Sequence, residues 1–288
     1  APPAPGRARA PTEEEIPQEA FVFRDQAVTL APGRAEVSSE LSYTRDRRTL
    51  SADRIVVAAL TGRIGLLDGV EGAVSVSQFF SNRTFEAGPG LARDEEQNRF
   101  GDVSLQVTAR AWNEGAYLPG AVVTAAVFAP TGPSPYFVPP NGITPQSLPV
   151  NITRAYTSRG TWMLRGGVTV FKTVDPIVLF AGLSYDHFLP VELDGATFRP
   201  GPRFNYNAGI SFAVSDRTTL GASFLGSYAS ALRVDDITYG LSATETAALR
   251  FQMIQRIGSA FFIEPSINLG LVTESPSFQA GLGLRYRF

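Results

Sequence analysis

The sequence has no cysteine and only one histidine (His187) and one lysine (Lys172) among its 288 residues. Without cysteine there can be no disulfide, no thiolate metal site and no cysteine nucleophile, and one histidine is too few for a histidine-rich metal cluster. The formal net charge is −2, so the chain has no strong positive field for nucleic acid. We therefore expect no nucleic-acid partner, no cofactor and no metal centre.

The sequence also lacks any run of 18 apolar residues, which excludes a membrane-spanning helix. It does not exclude a transmembrane β-barrel. The strands of such a barrel are only about half apolar, because one face meets lipid and the other faces the interior.

Polar and apolar residues alternate in long stretches from about residue 35 to the end. In the last stretch, Phe278, Leu284 and Tyr286 fall on one face. Gln279 and Arg285 fall on the other, because successive side chains of a strand point to opposite sides. These stretches suit the 9–11 residues that a strand needs to cross a bilayer, and they exceed the roughly 5–6 residues of an ordinary strand.

The pattern predicts an all-β fold, an antiparallel transmembrane β-barrel of about 12 strands. The predicted strands are 35–46, 52–64, 70–84, 99–113, 119–130, 160–172, 176–188, 202–214, 218–231, 242–255, 258–271 and 277–288. Tight links alternate with longer ones, which are 84–98, 131–159, 189–201 and 232–241. Short turns on one rim and long loops on the other are typical of outer-membrane barrels, so we expect a bacterial outer-membrane location with lipid as a partner.

Charged residues of the strands are predicted to face the lumen, because an arginine facing lipid at mid-bilayer costs about 2–4 kcal/mol. The lumen-lining candidates are Asp102, Arg110, Arg165, Asp186, Arg203, Arg250, Glu264, Arg285 and Arg287. The register of strands 52–64 and 119–130 stays ambiguous, since Ile55–Leu60 shows no clean alternation.

The first 34 residues differ in composition from the rest. They are rich in Pro, Ala and Arg, which is typical of a disordered tail, and Pro17 suits the start of a short helix. Because the chain begins without methionine or a leader, we expect a mature or trimmed form. We divide the chain into a tail, 1–34, and a barrel, 35–288. The candidates for plugging the lumen are Phe21, Phe23 and Arg24.

Three stretches resemble known families. The final strand, with Tyr286 and Phe288, resembles the C-terminal insertion signal of Gram-negative outer-membrane proteins, which implies recognition by the barrel-assembly machinery. Val28–Arg45 resembles the entry strand of the MetA-pathway-of-phenol-degradation transporters, and the functional-amyloid (Fap-type) secretion channels are similar there. Gly101–Leu105 with Leu118–Gly132 resembles paired strands of the same group. The resemblance implies a channel of roughly 12 strands, compatible with a homotrimer, with an N-terminal segment able to plug the lumen.

Catalysis is not expected. A histidine catalyst needs neighbours on its own face, but alternation places His187 opposite Asp186 and Ser184. The acidic groups at 94–96 and 235–236 lack the spacing of a calcium loop, and solvated loop charges explain them.

Three functions remain open from the sequence. The first is a passive channel for small molecules, aromatic or apolar ones included, with the long link 131–159 as a lid or a constriction. The second is an export channel for a secreted polypeptide, with 1–34 as the plug. The third is a structural barrel that anchors a surface assembly or another partner.

Overall fold

Twelve antiparallel strands close into a barrel, which confirms the predicted fold class. The computed structural model describes residues 29–48, 51–86, 92–139, 144 and 158–288. The barrel strands are β1 (Ala35–Arg48), β2 (Ser51–Leu67), β3 (Val70–Glu86), β4 (Ala92–Phe100) with β5 (Val103–Trp112), β6 (Gly120–Ala129), β7 (Met163–Val174), β8 (Ile177–Phe188), β11 (Arg203–Ser215), β12 (Thr218–Ala229), β15 (Thr244–Ile257), β16 (Phe261–Gly270) and β17 (Phe278–Arg287).

The barrel closes through β1, which pairs with β2 on one side and with β17 on the other. Glu36 lies opposite Arg63 in one register and opposite Arg287 in the other. Each remaining strand pairs with its neighbours along the wall, so that the described part of the barrel sheet has no free edge over its membrane-spanning height. A closed sheet satisfies its backbone hydrogen bonds internally, as a segment in lipid requires.

One barrel strand is interrupted at residues 101–102. β3 pairs with β4 up to Gln78↔Phe100 and continues with β5 from Ser75↔Ser104, so β4 and β5 act as one strand. The predicted loop 84–98 is therefore wrong, because β3 runs to Glu86 and β4 begins at Ala92. A strand that extends beyond the bilayer meets water instead of lipid, so it can carry charged residues in a pattern that is also typical of a loop.

The barrel wall has the reverse polarity of a soluble protein. Glu36 and Ser38 point inward and are buried, whereas Leu41 points outward and is 53% exposed. On β8, Asp186 is buried and Leu183 is 65% exposed. An apolar exterior over a polar interior is the arrangement of a barrel that sits in lipid, and the chain is an outer-membrane β-barrel. Within the described ranges, no helix has the length and apolar character needed to cross a membrane.

A small second sheet stands outside the barrel, where the sequence predicts only loops. It consists of β9 (Val191–Leu193), β10 (Ala196–Arg199), β13 (Leu232–Val234) and β14 (Ile237–Tyr239), in the order β14-β13-β10-β9. Two predicted loops, 189–201 and 232–241, thus fold together, and a 3₁₀ turn (Gly240–Ser242) leads back to the wall. The buried side chains of Phe198 and Val234 form its core.

Asp235 has a structural role in this second sheet. It turns the β13–β14 hairpin with φ 50°, and its Oδ1 accepts a hydrogen bond of 2.9 Å from Thr197 N. This contact ties the second hairpin to the first.

Both described ends of the long link 131–159 lie at the outer mouth of the barrel. Tyr136 packs against the second sheet, with 5.2 Å between its ring centroid and that of Phe198. Gly160 (φ 71°) lies against Pro135 so closely that a Cβ at this position would stand 2.5 Å from Pro135 Cδ. The middle of this link, which the sequence predicts to act as a lid or a constriction, includes Ile143 and Leu148 and falls outside the described residues.

Candidate functional site

The interior of the barrel is the candidate site, and every predicted lumen-lining residue lies on the inner face. Alternation and register put them there, buried or half-buried. Toward the inner mouth, where the chain enters β1, lie Arg110, Glu264, Arg285 and Arg287. Toward the outer mouth lie Asp102, Arg165, Asp186 and Arg203, and Arg250 lies between the two groups opposite Asn268.

A network of ion pairs forms one half of the inner mouth; we call it the ionic half-floor. Arg63 Nη1 lies 2.9 Å from Glu36 Oε1, and Arg63 Nη2 lies 2.7 Å from Glu71 Oε1. Arg285 bridges Glu264 at 2.6 Å and Glu36 at 3.6 Å, and Arg287 reaches Glu36 at 3.0 Å. Three guanidinium groups thus balance three carboxylates. Such burial is tolerated only when each charge has partners.

The backbone that precedes β1 crosses this network. Leu30 N donates a 3.1 Å hydrogen bond to Glu71 Oε2, and Arg110 Nη2 donates one of 3.3 Å to Thr29 Oγ1. Gly65 leaves room for the crossing, because a Cβ there would stand 2.1 Å from Ala31 O. The plug candidates Phe21, Phe23 and Arg24 fall outside the described residues.

Apolar side chains form the other half of the inner mouth, which we call the apolar half-floor. Its members are Val122, Phe171, Phe180, Ile254 and Phe262, which are all inward-facing and all buried. Inward side chains of a water-filled lumen would be exposed, so their burial means that they cover one another. Phe180 of β8 and Ile254 of β15 belong to strands separated by β11 and β12, and the packing therefore crosses the lumen.

Two glycines allow these rings to lie across the lumen. Gly120 is paired with Phe171, and a Cβ on it would stand 2.6 Å from that ring. Gly209 is paired with Phe180, and a Cβ there would stand 2.4 Å from the ring. A larger residue at either position would displace the ring that covers it.

A polar cavity of about 370 Å³ lies within the lumen, next to this floor. Hydroxyl and amide side chains make up half of its lining. They include Thr61, Ser75, Gln106, Thr124 and Asn207.

A second charged layer lies above the cavity, toward the outer mouth. Arg165 donates two hydrogen bonds to the carboxylate of Asp186, of 2.6 and 2.9 Å, and Asn205 donates a third of 3.2 Å. Asp102 accepts two hydrogen bonds from Arg159, one of 2.9 Å from the backbone N and one of 3.1 Å from Nη1. The guanidinium groups of Arg159 and Arg165 both lie on the ring of Phe128, at 4.4 and 5.2 Å.

Sequence reasoning missed the apolar half-floor, although a usable signal was present. Phe171 is in phase with Arg165 and Thr169, so a strict count of alternation would have turned it inward. Arg63 was missed because its strand has no clean alternation. Arg159 could not have been found, since it lies at the end of a long link.

The predicted insertion-signal residues lie on the outer face. Tyr286 is half exposed, Phe288 is exposed, and their rings meet edge to face at 4.9 Å between centroids. His187 is also exposed on the outside, where its ring faces that of Tyr185 at 6.5 Å.

Comparison with known proteins agrees with this geometry. The family described as "Putative MetA-pathway of phenol degradation" matches residues 20–288. The COG4313 outer membrane channel from Pseudomonas putida F1 superposes with a TM-score of 0.68 at 12% identity, covering 90% of this chain and 97% of that one. The NanC porin superposes with a TM-score of 0.50 at 8% identity, covering 88% of this chain and 98% of that one.

Proposed function

We propose that this chain, which belongs to the MetA-pathway family, is a gated channel that passes small molecules, aromatic ones included, across the outer membrane. The observation that carries the proposal is the sequence of layers from the outer mouth to the inner mouth of the lumen. A polar cavity lies between a charged outer layer and a floor that is half apolar. The solved structures that it resembles are a channel and a porin, which supports transport rather than catalysis.

The size of the cavity favours a small cargo. A space of about 150 Å³ is enough to hold benzene in a protein interior, and the lumen cavity measures about 370 Å³. It therefore accommodates one substituted ring with some water. An extended polypeptide would need a wide continuous bore, and the apolar cluster that contains Phe180 and Ile254 narrows it.

The apolar half-floor is the proposed gate. Its aromatic and aliphatic side chains contact one another without hydrogen bonds. Rotation of one ring therefore breaks only apolar contacts, and an apolar or aromatic cargo replaces them. The ionic half-floor is held by hydrogen bonds of 2.7–3.0 Å from Arg63 and Arg287 and by the ion pair between Arg285 and Glu264, and it stays in place.

The experiment compares the wild type with Phe180→Ala in planar bilayers and in swelling liposomes. The neutral probe is phenyl β-glucoside, which carries an aromatic ring but does not cross bilayers unaided. We expect Phe180→Ala to raise the conductance and the swelling rate, because it removes the ring that crosses the lumen. Phe212→Ala, on the lipid face of β11, is the matched control and should leave both unchanged.

Truncating a buried Phe costs about 3–5 kcal/mol, so each variant is first checked for the heat-dependent electrophoretic shift of a folded barrel. If the wild type and the folded Phe180→Ala variant both swell no faster than protein-free liposomes, the proposal is wrong.

A further inference from the structure

A second cavity, of about 420 Å³, lies at the outer mouth between the barrel and the external sheet. We call it the vestibule. Its wall carries the aromatic rings of Tyr136 and Phe188 and the guanidinium groups of Arg159 and Arg203, with Pro200 on the loop side. Aromatic faces beside guanidinium groups are suited to a flat ligand with a negative charge.

The charges of the vestibule do not balance. Asp186 is already held by both hydrogen bonds of Arg165, and Asp102 by Arg159. Arg203 lies across from Asp186 in the strand register, but within the described part of the chain its guanidinium makes no hydrogen bond and no ion pair. The guanidinium lies 5.9 Å from the centroid of the Phe188 ring, and the charge of Asp186 attracts it from beyond ion-pair distance. Three guanidinium groups therefore face two carboxylates, and the excess positive charge belongs to Arg203.

An arginine in this position has donors to spare. Its planar fork presents paired N–H groups that match the two oxygens of a carboxylate. A half-buried guanidinium attracts an anion more strongly than one in open solvent, since the wall of the cavity screens less than water does.

Tyr136 adds a neutral hydrogen-bond donor to the same wall. Burial raises the pKa of its hydroxyl to about 12, although the charge of Arg203 opposes this. The hydroxyl therefore stays protonated at neutral pH. Its ring packs against Phe198 of the external sheet, which holds it at the cavity.

We propose that the vestibule is a binding site for a small aromatic carboxylate, with the carboxylate on Arg203 and the ring against the aromatic wall formed by Tyr136 and Phe188. This inference rests on the proposed function, because it names a class of cargo that the channel would capture at its outer mouth. Arg203 is then the residue that selects for the negative charge.

The test measures binding to the detergent-solubilised full chain by titration calorimetry. Benzoate is the probe, benzyl alcohol is its neutral counterpart, and acetate is the anion without a ring. We expect saturable binding of benzoate that is stronger than binding of either comparator. Because hydrogen bonds to charged groups contribute about 1.5–3 kcal/mol, Arg203→Gln should weaken benzoate binding by roughly 10- to 100-fold, and Arg203→Lys should weaken it less.

The matched control is Arg233→Gln, which removes an exposed arginine of the external sheet that does not line the vestibule. It should bind benzoate as the wild type does. Tyr136→Phe provides a second variant that keeps the ring, and it should weaken benzoate binding less than Arg203→Gln does. All variants are checked for folding as above.

The inference is overturned if folded Arg203→Gln binds benzoate as tightly as the wild type. It is equally overturned if benzoate shows no saturable binding, or if benzyl alcohol binds as well as benzoate, since the vestibule would then be an apolar space without charge selection. The swelling assay with phenyl β-glucoside involves no anion, so a channel that conducts this probe without binding benzoate would refute only the vestibule.

Discussion

Glu36 is the carboxylate on which the ionic half-floor depends most. Its side chain is fully buried, with Arg63 at 2.9 Å, Arg287 at 3.0 Å and Arg285 at 3.6 Å. Glu36→Gln keeps the shape of the side chain but removes its charge, so three guanidinium groups would then face two carboxylates. Breaking a buried ion pair from one side typically costs about 3–5 kcal/mol. We expect a loss of unfolding free energy in the upper part of that range, because three partners are affected at once.

The assay is urea unfolding in detergent micelles, followed by the fluorescence of Trp112 and Trp162. Glu36→Gln/Arg287→Gln restores the balance with two charges of each sign, and it should recover a large part of the loss. Glu245→Gln, at an exposed carboxylate on the outer rim, is the control and should change stability by less than about 1 kcal/mol. If Glu36→Gln is no less stable than this control, or if the double variant shows simple additivity, the electrostatic account of the half-floor is refuted.

Two further predictions concern a turn and the wall. Partial burial pushes the pKa of the Glu114 carboxyl up, but hydrogen bonds from Thr173 N at 2.8 Å and from Lys172 outweigh it and hold the pKa below its usual value. Such a carboxylate stabilises the fold above its unfolded pKa, and this contribution is lost as the pH falls through the folded pKa. The Glu114→Gln variant should therefore be less stable than the wild type at pH 7 and equally stable in strong acid. Unfolding free energies that differ by the same amount at every pH would contradict this. Leu183→Arg, on the lipid face, should lower the unfolding free energy by about 2–4 kcal/mol. Ser184→Arg places the same charge on the lumen cavity and should lower the unfolding free energy by less. Equal losses in the two variants would contradict the assigned faces.

The wall of the barrel could be predicted from the sequence because lipid imposes a strict rule on it. Arg285 and Arg287 alternate with Leu284 and Tyr286, and only one choice of faces keeps both charges out of lipid. The rule fails where both faces are apolar. In the stretch Ile55–Leu60 the inner positions are filled by small or aliphatic residues, so the register of β2 followed only from its pairing with β1.

The external sheet could not be predicted for a different reason. Its strands are three or four residues long, too short for alternation to be recognised. Phe198 and Val234 lie far apart in the chain, and only their packing against each other turns two loops into one sheet. The turn at Asp194-Gly195, with φ 49° and 81°, is a local hairpin signal, but nothing local indicates which hairpin it joins.

The vestibule was only partly accessible to sequence reasoning. Arg203 was predicted to face inward, and it does lie on the inner face of β11. Its lack of a paired carboxylate depends on Arg165, two strands away, which donates hydrogen bonds from Nε and Nη2 to both carboxylate oxygens of Asp186. Which of several arginines satisfies a given aspartate is a three-dimensional competition that a linear pattern does not encode.

The ionic half-floor and the apolar half-floor are held by different kinds of interaction, so each should respond to a different change in the surroundings. Added salt screens exposed charges, but most of the carboxylates and guanidinium groups of the ionic half-floor are buried. The structure of this half should therefore change little between low and high salt concentration. Cooling weakens hydrophobic contacts. The packing of the apolar half-floor, which is formed by Phe180 and its neighbours, should therefore vary with temperature. We therefore expect the rate of cargo entry to depend on the temperature of the surroundings more than on their ionic strength.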